Sequence, residues 1–186
     1  MFTPHLRFSP STYRVFSAAA LAAREVLQRW GRRKGRVFML FLMGLLLTGC
    51  SEDYGLDQYG RKVTAEQLEG QWLVINYWAQ WCGPCRAEVA ELNQLAQQVS
   101  VPPVLVLGVN FDQLQGSQLS QASSALGINY RVLAQDPAAH WQLPRSEVLP
   151  VTYIIDAQGK LRERLLGEQT AAGLSARLAQ LQKGAD

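Results

Sequence analysis

The amino-acid sequence predicts an α/β protein with a central mixed sheet flanked by helices. Two apolar runs, Trp72–Trp78 and Val104–Asn110, are continuous rather than alternating, which is typical of strands that are covered on both faces. Stretches with helical spacing of apolar residues follow both runs, and alternation of strand and helix indicates an α/β sheet. We expect the sheet to be mixed because the turn 156–159 joins two later strands, which would then pair antiparallel.

The other elements follow from turn signals and apolar spacing along the chain. Residues 51–63 are polar and rich in turn formers, which predicts a short tether and then a small hairpin around Gly60. The elements expected after the first core strand are, in order, a helix over 83–99, the strand 104–110, a helix over 114–126, a short strand over 131–134, a helical turn over 137–142, strands over 151–156 and 161–166, and a last helix over 170–182.

The overall charge of +3 hides a strong asymmetry between the two parts of the chain. Residues 1–50 carry a net charge of +7, and residues 51–186 carry −4. A nucleic-acid-binding protein needs its excess of Lys and Arg on a folded surface, where they can neutralise phosphates. Because the folded part is acidic, we exclude nucleic acid as a partner.

The basic leader ends in a segment that is typical of a secretory signal. Val37–Leu47 is an almost unbroken apolar run behind a cluster of four basic residues, and it is too short for a helix that spans a bilayer. It is followed by Leu47-Thr48-Gly49-Cys50, which resembles a bacterial lipobox and implies lipid attachment to Cys50 after signal cleavage. A short uncleaved anchor is the alternative. Both interpretations tether the protein to a membrane and place its domain outside the cytoplasm.

Two of the three cysteines stand in the motif Trp81-Cys82-Gly83-Pro84-Cys85, directly after a predicted strand and at the start of a predicted helix. A zinc site needs about four ligands, and outside the leader the chain has one histidine, His140. Arg86 follows the second cysteine, so the haem-attachment motif Cys-x-x-Cys-His is absent. A purely structural disulfide remains an alternative, although so short a loop constrains the unfolded chain weakly.

The position of the motif favours redox chemistry. At the start of a helix, Cys82 lies near unpaired backbone N–H groups and the positive end of the helix dipole, which stabilise its thiolate. Pro84 is tolerated in the first helical turn, and it keeps Cys85 within disulfide distance of Cys82. We therefore expect Cys82, at an exposed helix terminus, to attack disulfides, and Cys85 to resolve the mixed disulfide.

These motifs together resemble the thioredoxin superfamily, and most closely the TlpA/ResA-like membrane-anchored thiol-disulfide oxidoreductases. The resemblance covers about 55–183 and depends on the cysteine motif, on Val148-Leu149-Pro150-Val151-Thr152 before a strand, and on Gly159. It implies a thioredoxin-like fold with an extra N-terminal hairpin and a central insertion. The expected organisation is a leader over 1–49, a tether and hairpin over 50–63, and a thioredoxin-like domain over 64–183.

The resemblance also implies a substrate-binding surface around the cysteines. Leu149-Pro150 would be a cis peptide that faces the cysteine pair, with backbone able to pair with an extended substrate. The alternative is a trans proline that begins an edge strand. The residues implied to contact substrate are Trp81, Gly83, Pro84, Leu149 and Pro150.

Glu88 is the third candidate catalytic residue, with Cys82 and Cys85. It follows Cys85 by three residues, on the same helix face, and matches the acid of the family's Cys-x-x-Cys-x-x-Glu pattern. Asn76 stands where thioredoxin itself carries a buried acid, so that proton acceptor is missing. The alternative is that Glu88 is a solvated surface residue.

The sequence thus predicts a lipid-anchored periplasmic thiol-disulfide oxidoreductase that reduces protein disulfides. Its expected partners are client proteins with disulfides, a membrane thiol-disulfide electron donor and the membrane itself, and we expect no cofactor and no metal. A non-catalytic thioredoxin-fold binding module with a locked disulfide is the competing class. A thiol-dependent peroxidase is less compatible, since such enzymes usually carry Thr or Ser shortly before the reactive cysteine.

Overall fold

The computed structural model describes residues 53–98 and 103–184. The expectations for the leader and for Cys50 lie outside the described residues. Within the described part, no helix is long and apolar enough to cross a membrane. The strands are β1 (Asp53–Leu56), β2 (Lys62–Thr64), β3 (Trp72–Trp78), β4 (Val104–Asn110), β5 (Arg131–Leu133), β6 (Val151–Ile155) and β7 (Leu161–Leu166), and the α-helices are α1 (Gly83–Ala96), α2 (Gly116–Ala125) and α3 (Ala171–Lys183).

The central sheet has five strands in the order β5-β4-β3-β6-β7. Strands β3, β4 and β5 are parallel, whereas β6 runs antiparallel to β3 and β7 antiparallel to β6. The mixed sheet predicted from the sequence is therefore confirmed. β3, the strand that leads into the cysteine motif, lies at its centre.

All three α-helices of the described residues contribute to one apolar cluster on one face of the sheet. Their buried residues include Leu92 of α1, Leu119 of α2 and Leu174 of α3. Helix α2 begins at Gly116 and not at Leu114 as the sequence predicts, because the backbone of the preceding residue, Gln115, is extended. The Leu114 backbone N–H donates to the Asn110 side chain at the end of β4. The helices cover this face of the sheet, which agrees with the prediction that the continuous apolar runs form strands covered on both faces.

The opposite face is covered by the hairpin β1–β2 and by short turns. Tyr54, Val63 and Leu68 pack there together with Trp141 and Leu143. This second layer contains no α-helix among the described residues, and irregular segments bury the apolar side chains instead. The two faces use alternate residues of the central strand, with Trp78 in the helical layer and Tyr77 in the hairpin layer.

The hairpin is also fixed to the edge of β5 by hydrogen bonds. The Gln58 N–H donates to the Val132 carbonyl at 3.0 Å, and the Ala134 N–H donates to the Leu56 carbonyl at 2.8 Å. The Gln58 side chain adds two buried bonds, donating to the Tyr130 carbonyl at 3.0 Å and accepting from the Val132 N–H at 2.8 Å. The chain thus adds a short extra segment to the sheet beyond β5.

One transverse row of the sheet positions the candidate site beneath α1. Reading across the strands, the row consists of Val132, Gly108, Asn76 and Thr152. Asn76 is 1% exposed and Thr152 is fully buried, so two polar side chains lie in the centre of an otherwise apolar face. Buried polar groups need hydrogen-bond partners, and α1 supplies one of them.

Candidate active site

The two cysteines of the motif form a disulfide at the first turn of α1. Cys82 and Cys85 are joined with a Cα–Cα distance of 5.3 Å. Cys82 is the N-cap residue of α1, and its Sγ accepts a hydrogen bond from the Cys85 N–H at 3.2 Å. Gly83 and Pro84 occupy the first helical positions, where the missing N–H of proline leaves no intrahelical bond unmade. A sulfur at this cap is positioned to be stabilised as a thiolate.

The expectation that Cys82 is exposed is wrong for the disulfide form. Cys82 is 5% exposed and Cys85 2% exposed, and both belong to the apolar cluster of the helical face. Cys82 is turned inward because its sulfur is bonded to Cys85 and accepts the Cys85 N–H. The exposed part of the motif is its rim, which consists of Trp81, Gly83 and Pro84.

Trp81 forms the most exposed aromatic part of this rim, with 66% of its surface accessible. Its indole Nε1–H donates to both carboxylate oxygens of Asp112, at 3.1 Å each. Its ring contacts Phe111 edge to face, with centroids 6.3 Å apart. These contacts hold an exposed apolar ring beside the disulfide, which suits contact with another polypeptide.

The Leu149-Pro150 peptide is cis, so the trans alternative is wrong. It precedes β6, whose first residue, Val151, pairs with Tyr77 near the end of β3 that leads to the cysteine motif. Leu149 is partly buried against the cluster that contains both cysteines, whereas Val148 is 55% exposed. The cis-proline loop and the disulfide therefore lie at the same end of the sheet.

Glu88 is buried behind the disulfide, not solvated, and is only 2% exposed. Its Oε2 accepts a hydrogen bond from Asn76 Nδ2 at 3.2 Å, and its Oε1 accepts from the Gln169 N–H at 3.2 Å. The Asn76 amide also donates to Thr152 Oγ1 at 3.1 Å. The carboxylate on α1 is thus the partner that the polar centre of the sheet requires.

Burial raises the pKa of Glu88 to about 7, because removal from water disfavours the ionised form. The hydrogen bonds from Gln169 and Asn76 act in the opposite direction, and the negative charge of Glu168 adds to the rise. A carboxyl group with this pKa is divided between its two protonation states near neutral pH. It can therefore both accept and return a proton there.

The structure brings together most of the residues that the sequence selects. Cys82, Cys85 and Glu88 share one helix and one face, with the rim residues and the cis-proline loop at the same end of the sheet. Sequence reasoning missed Asp112 and Gln169, which hold Trp81 and Glu88. Asp112 could have been found from its sequence position, because it is a carboxylate just after β4. Gln169 could not, because its contact to Glu88 is made by a backbone N–H, which every residue except proline has.

The arrangement contains what dithiol-disulfide exchange requires: a sulfur at a helix N-terminus, a second sulfur within bonding distance and a buried carboxyl group on the same helix face. Within residues 53–98 and 103–184 no group of three or more His, Cys, Asp or Glu side chains could hold a metal ion. Fold and motif together define the chain as a thioredoxin-like thiol-disulfide oxidoreductase.

Comparisons with known proteins agree with this class. The family model described as AhpC/TSA matches residues 49–164, and the chain belongs to that family. The thiol-disulfide oxidoreductase ResA of Bacillus thuringiensis is 25% identical over 125 residues, which cover 67% of this chain and 72% of that protein. The thiol:disulfide interchange protein DsbE of Allochromatium vinosum is 32% identical over 109 residues, covering 56% of each.

Solved structures show the same fold. A DsbF homologue from Corynebacterium diphtheriae superposes with a TM-score of 0.59 at 23% identity, covering 70% of this chain and 85% of that one. A thioredoxin-family thiol:disulfide interchange protein from Chlorobium tepidum superposes with a TM-score of 0.59 at 21% identity, covering 70% and 92%. The predicted thioredoxin-like fold is thereby confirmed.

Proposed function

We propose that this protein is a lipid-anchored, extracytoplasmic enzyme that reduces disulfides of client proteins through Cys82 and Cys85. The observation that carries the proposal is a Cys-x-x-Cys disulfide at a helix N-terminus with a buried carboxyl group, Glu88, behind it. The names of its relatives support the reaction class, since they are thiol-disulfide oxidoreductases and interchange proteins.

The reaction proceeds in two exchanges. The Cys82 thiolate of the reduced protein attacks a client disulfide, so that a mixed disulfide forms and one client sulfur leaves as a thiolate. Cys85 then gives its proton to Glu88 and attacks the Cys82 sulfur. The Cys82–Cys85 bond forms, the mixed disulfide breaks and the second client sulfur leaves, so two electrons pass from the protein to the client.

Glu88 is suited to this proton transfer because its pKa, raised by burial to about 7, lies near the working pH. Asn76 and the Gln169 N–H hold its two oxygens in place from the sheet and from the loop before α3. The rim, formed by Trp81, Gly83 and Pro84, and the cis-proline loop, with Leu149 and Pro150, are the surfaces that would contact an extended client segment.

The finer parts of the proposal come from the sequence. Lipid attachment at Cys50 would hold the enzyme on the periplasmic side of a bacterial membrane, and a membrane thiol-disulfide donor would return the oxidised pair to the dithiol. Gly83-Pro84 between the cysteines resembles reducing members of the superfamily, whereas strongly oxidising members tend to carry histidine beside the second cysteine.

Burial of both sulfurs favours a second candidate function, a binding module in which the disulfide is locked. In that case the rim and the cis-proline loop would hold a partner without any exchange of electrons. The two functions differ in whether the cysteines react with a client.

A trapping experiment with single cysteine variants separates them. Cys85→Ser retains the attacking sulfur but cannot resolve, so it should accumulate mixed disulfides with a denatured disulfide protein such as insulin, whereas Cys82→Ser should not. The adducts are measured on non-reducing gels, with wild-type protein and dithiothreitol as the positive control for insulin reduction. Equal trapping by both variants would contradict the assigned roles, and no reduction by the wild type would favour the binding module.

A further inference from the structure

Tyr130 is a buried titratable residue that the proposed mechanism leaves unused. It lies immediately before β5, is 4% exposed and belongs to the cluster that contains Trp78 and both cysteines. Its hydroxyl group has no hydrogen-bond partner among the described residues. An unpaired hydroxyl in such a place costs free energy, so a hydrogen-bond partner such as a bound water is expected there.

The ring of Tyr130 lies over the same row of the sheet that holds Glu88. A Cβ placed on Gly108 would lie 3.1 Å from Tyr130 Cε2 and 3.1 Å from Trp78 Nε1, so the two rings fill the space above this glycine. Gly108 pairs directly with Asn76 on the neighbouring strand, about 4.8 Å away. Asn76 is the donor to Glu88, so the phenol and the carboxylate converge on one part of the helical face.

The electrostatics agree with this placement. Burial raises the pKa of Tyr130 above its usual range, and the Glu88 carboxylate raises it further. The hydroxyl therefore keeps its proton and can act as a hydrogen-bond donor. A carboxylate has about four acceptor positions, and Glu88 is hydrogen-bonded by Asn76, the Gln169 N–H and the Thr152 side chain, so it can accept one more donor.

The groups around Glu88 come from every element that is packed against it. They are Asn76 of β3, Thr152 of β6, the Gln169 N–H and the Glu168 carboxylate before α3, the Tyr130 phenol before β5, and Cys85 on α1 itself. Among these groups, the Glu168 carboxylate opposes ionisation of Glu88. The Tyr130 phenol is a hydrogen-bond donor that has no partner among the described residues.

We propose that the Tyr130 hydroxyl donates a hydrogen bond to the ionised Glu88 carboxylate through one bridging water, and thereby sets the pH at which Glu88 takes the Cys85 proton. Tyr130 is a positioning residue, since it acts on the reacting sulfur only through Glu88. The functional part of this inference rests on the proposed role of Glu88 as proton acceptor, whereas the hydrogen bond itself does not.

The test is a titration of Glu88 in the full, oxidised chain, with the glutamate carboxyl carbons labelled with 13C for NMR. The Glu88 resonance is identified by its loss in Glu88→Gln. Removal of a donor to the ionised form should raise the midpoint, so Tyr130→Phe should shift it upward by roughly one pH unit, about 1.4 kcal/mol. The matched control is Tyr153→Phe, which removes a hydroxyl from the opposite face and should leave the midpoint unchanged.

A midpoint that stays the same or falls in Tyr130→Phe would overturn the inference. A second measurement uses the wild-type protein with tyrosine Cζ labelled with 13C. The Tyr130 resonance should change with the same midpoint as Glu88, and this change should vanish in Glu88→Gln. Absence of the coupled change would also overturn the inference, even if Tyr130→Phe did not fold.

The hydrogen bond and the proposed proton transfer fail in distinguishable ways. If Glu88→Gln leaves client reduction unchanged while Tyr130→Phe still shifts the Glu88 midpoint, the hydrogen bond stands and the proton-acceptor role falls. If Glu88→Gln slows client reduction and Tyr130→Phe shifts nothing, the role of Tyr130 falls alone. If both the hydrogen bond and the proton-acceptor role hold, the pH profile of client reduction in Tyr130→Phe should shift to higher pH together with the Glu88 midpoint.

Discussion

Replacement of Glu88 by Gln should change how the stability of the oxidised protein depends on pH. Burial raises the pKa of Glu88 from 4.5 to about 7 in the folded protein, whereas the unfolded chain exposes the carboxyl group to water. Between these two values the folded state holds a proton that the unfolded state has released. The free energy of unfolding therefore falls as pH rises through this window. Glu88→Gln removes the titration and with it this loss.

The magnitude follows from the shift. One pKa unit corresponds to 1.36 kcal/mol, so a rise to about 7 costs the wild-type protein about 3 kcal/mol between pH 4 and pH 8. The contribution is fully present below about pH 4.5 and is lost as pH passes about 7. Other groups titrate alike in both proteins and cancel in the difference. One such group is Asp57. Burial acts to raise its pKa, but hydrogen bonds from Arg61 and Tyr59 outweigh this effect, so the pKa lies below its ordinary value.

Urea denaturation of both oxidised proteins at pH 4, 6 and 8 measures the effect. In Glu88→Gln the new amide has only one acceptor oxygen for the Asn76 and Gln169 donors, so the variant starts from a different stability, but this offset does not vary with pH. Relative to wild type, the variant should gain about 3 kcal/mol from pH 4 to pH 8. At an m-value near 2 kcal/mol/M, this is a relative rise in midpoint of about 1.5 M. Parallel pH profiles would refute a raised pKa for Glu88.

Two further predictions concern the anchor and the rim of the site. Cys50→Ala should abolish incorporation of labelled palmitate and release the protein from membranes, and a membrane-bound variant of unchanged size would indicate an uncleaved anchor instead. Asp112→Ala frees the Trp81 indole and should raise KM for a client disulfide protein about three-fold, as expected for the loss of one exposed charged hydrogen bond. Thermal unfolding should change little, and a change in kcat alone would contradict a role in client contact.

The architecture could be predicted from the sequence because its elements have strong local signals. The continuous apolar runs at 72–78 and 104–110 each became a buried strand, and Gly60 stands at the turn of the hairpin with a φ of +74°. The boundaries of helices were less predictable. Helix α2 starts two residues later than predicted because the backbone at Gln115 is extended, with φ −127° and ψ 158°, which the spacing of apolar residues does not indicate.

Site residues could be predicted where they lie close together in the sequence, but not where they depend on contacts across the sheet. The cysteine motif and the helical spacing of Glu88 were sufficient to select the redox pair and the acid. The burial of Glu88, however, depends on Asn76 and on the Gln169 N–H, which are 12 and 81 residues away in the chain. No local sequence pattern indicates such partners, because the register of the strands and the positions of the loops determine them.

The hairpin on β5 affects how copies of this protein can meet one another. An uncovered edge strand has free N–H and C=O groups to which a strand of another molecule can add. At the β5 edge those groups are occupied by backbone bonds from Leu56 and Gln58 and by the Gln58 amide. At the other edge, β7 carries consecutive charged residues over 162–164, which discourage such pairing. Both margins of the described sheet therefore resist edge-to-edge aggregation.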